Sequence, residues 1–192
     1  MTISVLTDFD LIKTTLIAWL KTYSSDDGLL LKSVEFKNQL GDRPAKPYGN
    51  ILITNSGRKS GFDEERQEFN VPTDSIDKTT LGQREMKVQI DIYSEPAASL
   101  ADVEALEILE RALMTLETQV VKDLFKSANL SFIEHTPINE LDQQLGERWE
   151  RRAQTDLTLR YTSEVIDSGS NDNWIENAET PSEENTNLTV NI

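Results

Sequence analysis

The chain has 192 residues, of which 37% are hydrophobic and 28% charged, with a net charge of −15 and no cysteine. That length suits one domain with a proper core plus a tail. The composition excludes a disulfide framework or a thiolate metal site, and the acidic balance argues against a nucleic-acid grip, which needs clustered Lys and Arg.

No apolar run approaches the roughly 20 residues that cross a bilayer. The first residues lack the basic region and apolar block of a signal peptide. A soluble protein with no membrane partner is expected, compatible with a reducing compartment. The charge is unevenly spread. Residues 161–192 hold seven acids and no Lys or Arg, so nearly half the excess sits in the last sixth of the chain.

Residues 8 to 23 read as a helix. Asp8 can cap its first turn, and Phe9, Ile12, Leu16, Trp19 and Tyr23 recur at helical spacing. The SDDG at 25–28 stops it. Residues 33–37 (SVEFK) form a short strand candidate. The segment 39–49, with two prolines and two glycines, is a connector, and 50–54 (NILIT) is a second strand.

Residues 55–84 are polar, carry Gly57, Gly61, Pro72 and Gly82, and show no clear periodicity. They predict a long loop, a kind of segment that is usually functional or disordered. Phe62, Phe69 and Val71 could anchor part of it as an irregular hairpin. Residues 84–95 follow as a strand, with Met86, Val88, Ile90 and Ile92 alternating against Lys87, Gln89, Asp91 and Tyr93.

Ser99 and Asp102 form a capping-box pattern for a helix, whose stripe is Val103, Leu106, Leu109, Leu113 and Leu116. A second helical piece covers about 117–127, with Val120, Val121, Leu124 and Phe125. Residues 130–135 (LSFIEH) predict a strand, and 136–147 connect it to the run that organises the chain.

That run is 147–167. Trp149, Ala153, Leu157, Leu159, Tyr161 and Val165 alternate with Glu150, Arg152, Gln154, Asp156, Thr158, Arg160, Thr162 and Glu164. Such a period marks a strand with one buried and one wet face. At about 3.3 Å per residue the alternating part, 149–165, spans roughly 55 Å, too long for an ordinary strand, which predicts a bend or bulge near Arg151 and Thr155, where polar residues interrupt the apolar face. The fold class is therefore α/β (α+β), a mixed, mainly antiparallel sheet with helices packed on it. The domain runs from 1 to 176, and 177–192 is an acidic tail, mobile unless a partner orders it.

The residues offer no catalytic set. His135, the one histidine, reads as a structural residue at a strand end. Asp63, Glu64 and Glu65 could hold a cation, but an acidic loop is usually just solvated. Residues 167–178 fail as a calcium loop, with Asp172 where the glycine belongs and Ala178 where the bidentate Glu belongs. GRKSG at 57–61 lacks phosphate-loop spacing. Arg148, Arg151 and Arg152 form a basic cluster, read either as strand arginines paired with the many acids or as an inter-subunit contact. No cofactor or metal is expected.

One resemblance gives these elements a function. The stretches PYGNILIT, GQREMKVQIDIY, RWERRAQTDLTLRY and Trp174-Ile175-Glu176, in this order and with these helices, resemble the neck and tail-terminator proteins of tailed bacteriophages, over about residues 5–176. The resemblance implies a non-enzymatic virion protein assembled in the host cytoplasm. It implies a ring, typically a hexamer, at the head-proximal end of the tail. The ring would end tube polymerisation and meet the tail tube or sheath and the neck connector, with genomic DNA passing through the lumen unread. The candidate assembly contacts are Arg58, Lys59, Asp63, Glu64, Glu65, Arg66, Arg151 and Arg152. Three alternatives stay open: a head–tail connector or completion protein, a small hydrolase using the carboxylates around Asp63, and an acidic non-viral binding module.

Overall fold

The computed structural model describes residues 2–5, 7–24, 31–37, 43–70, 75–95, 104–145 and 148–170. The boundary at 176 and 177, the Trp174–Ile175 pair, the stop signal at 25–28, Val71, and the Ser99–Asp102 cap lie outside them.

Among the described residues the order is β1 (Thr2–Val5), α1 (Phe9–Tyr23), β2 (Ser33–Phe36), β3 (Tyr48–Lys59), β4 (Glu64–Asn70), β5 (Ser75–Ser94), α2 (Ala105–Thr115), α3 (Gln119–Ser127), β6 (Leu130–His135), β7 (Asn139–Glu140), β8 (Gln143–Leu145) and β9 (Arg148–Ser170). The sheet follows β1-β9-β5-β3-β2, with β4 on β5 and with β6, β7 and β8 on β9. Only β2 and β3 pair in parallel; the other pairs are antiparallel. This is the mixed, mainly antiparallel α+β class expected.

Helix α1 starts where Asp8 predicts, its carboxylate accepting from the Leu11 amide at 2.9 Å. Ile12, Leu16, Trp19 and Leu20 are buried, whereas Phe9 stays over a third exposed. Trp19 meets Phe125 of α3 edge-on, and its indole N–H donates to Thr115 Oγ1. Helix α2 begins at Ala105 after Glu104, which makes no side-chain cap. The Ser94 hydroxyl instead accepts from the Ala105 amide. Ile108, Leu109, Ala112 and Leu113 face the sheet, while Val120 at the head of α3 is exposed.

The core lies between these helices and one face of β5 and β9. Met86, Val88, Ile90 and Ile92 are buried with Leu159, Leu157 and Ala153, in register as Met86↔Leu159, Val88↔Leu157 and Ile92↔Ala153. Each such Leu or Ile contributes roughly 1.5–3 kcal/mol by burial. The predicted alternation is correct in phase, but the face opposite the core is not wet throughout: Asp91 and Tyr93 are buried too, Asp91 against Arg152 and Lys37 and Tyr93 against Tyr48.

Three further expectations fail. First, β9 shows no bulge against β5 near Arg151 or Thr155. It pairs with β5 without a slip from Ser94↔Arg151 to Lys78↔Asp167, and the irregularities fall at Ile76/Lys78, in β3 around Asn55, and in β6. Thr155 does not interrupt the buried face. It is itself buried, because its hydroxyl donates to the Thr136 carbonyl at 2.8 Å. Second, the strand's first turnover of faces is inverted in burial. Trp149 is 54% exposed and Glu150 only 2%, since Arg43 and Lys46 of the 43–47 connector lie against Glu150.

Third, 55–70 and 75–84 are mostly strand rather than loop, and the antiparallel pairing of β4 with β5 agrees with the irregular hairpin allowed for there. Strand β3 runs on to Lys59, Ser60 to Asp63 form a crook, and β4 continues along the same edge of β5. Gly57 at φ 83° and Gly61 at φ 103° take the left-handed backbone that the slip and the crook require. Phe62 and Phe69 anchor nothing; both are exposed.

Candidate assembly interface

The β5–β9 pair outruns the helices. Beyond Arg84 and Tyr161, residues 75–83 and 162–170 continue as an arm, about 30 Å long at about 3.3 Å per residue. Strand β4 flanks it on one side and β1 on the other, in the order β4-β5-β9-β1. Thr79, Thr80, Leu81, Val165 and Ile166 are neither buried nor fully exposed. No described helix buries them as α2 helps bury the core end.

The first six candidate residues all sit at the root and flank of this arm. Asp63, in the crook, meets Arg84 at 2.6 Å and Lys59 at 2.9 Å. The Arg84 hydrogen bond, with Lys59 second, holds the Asp63 carboxyl down to about 2. Gly82 lies beneath: a Cβ there would overlap Asp63 Oδ1 and the Arg84 guanidinium, so a larger residue makes that pair shift. Glu64 pairs with Arg66 at 2.8 Å, which lowers its carboxyl and raises the guanidinium. Glu65 pairs with Lys78 at 3.4 Å. Arg58 stands opposite Glu85 in register. The Glu85 carboxyl is lowered chiefly by the Ser60 hydroxyl, then by Arg160 and Arg58.

Asp63, Glu64 and Glu65 therefore turn to four different cations, none shared, rather than converge on one point. Among the described residues no group of His, Cys, Asp and Glu could hold a metal ion. What the arrangement does is fix a charged, solvated surface on a rigid strand pair.

Arg151 and Arg152 project from opposite faces of β9 at the other end of the molecule. Arg151 pairs with Asp142, which raises its guanidinium. Arg152 donates to Asp91 at 2.9 Å and lies 5.5 Å from the Tyr93 ring centre. Burial pulls its guanidinium down, and Asp91 more than offsets that. Asp91 is 1% exposed and also meets Lys37 at 3.2 Å. Tyr93 stacks on Tyr48 at 4.8 Å, and burial pushes both hydroxyls up. Both arginines thus have acids within their own subunit.

Asp91, Glu150, Arg84 and Lys78 escaped the sequence reading. Their partners lie 13 to 107 residues away in the chain, so no local spacing announces them. His135 is exposed at the end of β6, its Nδ1 against the Thr136 carbonyl. No described helix is long and apolar enough to cross a membrane.

The family described as Phage neck terminator protein matches the chain over residues 14–187. No curated protein matches it.

Proposed function

The chain belongs to the phage neck terminator protein family, and on that premise we propose that its copies form a ring at the head-proximal end of the tail. A structural role in the phage neck, and a place in the tail or neck of the virion among its other components, come with the family. The proposal adds that the ring is typically a hexamer, that it ends tube polymerisation, and that it joins the tail to the neck connector. DNA passes through its lumen without being read.

The observation that carries this reading is the arm. A subunit that meets both its neighbours and the next layer of a tail needs a surface reaching beyond its own core. Here β4-β5-β9-β1 extends past the helices, with Arg58, Lys59 and Asp63 at its root and Glu64, Glu65 and Arg66 along its flank, all but Arg58 in ion pairs. Preset ion pairs of both signs keep such a surface soluble before assembly and penalise wrong partners. Arg151 and Arg152, paired internally, serve the subunit more than its contacts.

The test replaces residues 64–81 by a short Gly-Ser turn and supplies the variant to phage lacking the wild-type protein. The core should fold, and electron micrographs should show heads without tails together with tails of irregular length. Infectious particles with tails of normal length would remove the arm from assembly. Tails of normal length that fail to attach would move the role from ending the tube to joining it.

A further inference from the structure

We infer that the arm closes the ring through its backbone, the free edge of β1 in one copy pairing antiparallel with the free edge of β4 in the next. The inference rests on the ring reading and names the contact that builds it.

Among the described residues β4 pairs only with β5 and β1 only with β9. From Glu64 to Phe69 and from Thr2 to Val5 the outer edge therefore has no strand partner among the described residues, and its N–H and C=O groups are a template for another strand. The two edges stand at the same height. Ser4, Ile166, Thr79 and Arg66 form one row across all four strands, and the next row is Val165, Thr80 and Glu65.

Direction then decides what can join. The four strands are successively antiparallel, so β4 and β1 run opposite ways. Rotating the unit about an axis along the arm sets β1 of one copy beside β4 of the next, again antiparallel. The alternation continues around the ring with no parallel seam, whatever the number of copies. Such a contact is head-to-tail, the kind that generates rings, and closing the sheet removes every edge of the arm.

Charge selects the same partner. Strand β4 carries Glu64, Glu65 and Glu68 against Arg66, whereas β1 (TISV) carries no charge. Two β4 strands meeting by a two-fold would bring two such acidic sets together. A β4–β1 contact places no like charges opposite one another. With four residues in β1 the contact is short, and many weak copies of it around a ring would hold only on assembly.

The absence of cysteine makes the test direct. Ser4→Cys is combined in turn with Glu64→Cys, Arg66→Cys and Glu68→Cys, which share its face of the sheet. Gln67→Cys, in the row of Lys78 and Asp167, projects from the other face. Cross-strand partners bring Cβ atoms about 4.5–5.5 Å apart, so mild oxidation should link neighbouring copies. The expected result is a ladder of disulfide-linked oligomers ending in a closed ring for at least one of the three pairs. Single variants and the Ser4→Cys/Gln67→Cys pair should give none.

Both the purified full-length protein and assembled virions are oxidised, and ring formation is read separately by negative-stain images without oxidant. Rings that give no ladder overturn the edge pairing and leave the ring standing. Ladders equally strong with Gln67→Cys, or dimers from Arg66→Cys alone, also overturn it. Neither rings nor ladders, in solution or in virions, overturns both.

Discussion

The two halves of the β5–β9 pair share one hydrogen-bond ladder and differ in what covers them. From Met86↔Leu159 to Ile92↔Ala153 the side chains facing the helices are almost wholly buried. From Lys78↔Asp167 to Gln83↔Thr162 they are mostly polar, small or half-exposed. The ladder is equally regular in both, so backbone pairing does not distinguish them. A second layer does: α2 packs on the sheet at the buried half, and no described helix buries the other. Stability is then concentrated at the core end, and the arm is the part with free energy still to gain from a neighbour.

The sharpest way to break that contrast is a pair of substitutions on the same face of β9. Leu159→Asp puts an unpaired charge into a fully buried site, at a cost of several kcal/mol or more against a total stability of about 5–15 kcal/mol. No soluble folded protein should be recovered. Val165→Asp, six residues on, should stay soluble and lose a few degrees of Tm at most. A soluble Leu159→Asp protein with unchanged melting would show that β9 is not the core strand.

The ion pairs give a smaller contrast. Arg152→Ala leaves the buried Asp91 with Lys37 and Gln89 only and should cost about 1–3 kcal/mol, seen as a lower midpoint in urea. Arg66→Ala, on the exposed arm, should stay within about 0.5 kcal/mol. Equal shifts in the two midpoints would erase the distinction between the ends.

The smallest expected effect is in acid. Asp63 is held down to about 2 from its ordinary 3.8. A carboxylate depressed on folding adds stability that is complete above its unfolded value and is lost as pH falls through its folded value. The difference in Tm between wild type and Asp63→Asn should therefore be present at pH 7 and fade between about pH 4 and pH 2. A difference that survives unchanged to pH 2 would mean that the carboxylate of Asp63 is not what secures the crook.

Much of the fold was legible because burial imposes a period. The Asp8 cap with its Ile12–Leu16–Trp19 stripe, the alternation of 86–92, the strand at 130–135 and the long run from 149 follow from residues that face one layer. The family followed from the order of those elements and was confirmed over 14–187. The assembly residues were legible only as charged residues, because an ion pair between Asp63 and Arg84, or Arg152 and Asp91, depends on which strands lie side by side.

The sequence alone determined where apolar side chains repeat, and with them the helices and the core strands. Tertiary structure alone decided the rest. Residues 55–84 look like a loop because a strand wet on both faces has no side-chain period to show, and only pairing with β5 reveals β4 and the arm. Glu150 is buried and Trp149 exposed because Arg43 and Lys46 cross β9 from a distant connector. Local pattern reports the face a residue would turn to water. Whether water or another part of the chain meets that face is settled only when the chain has folded.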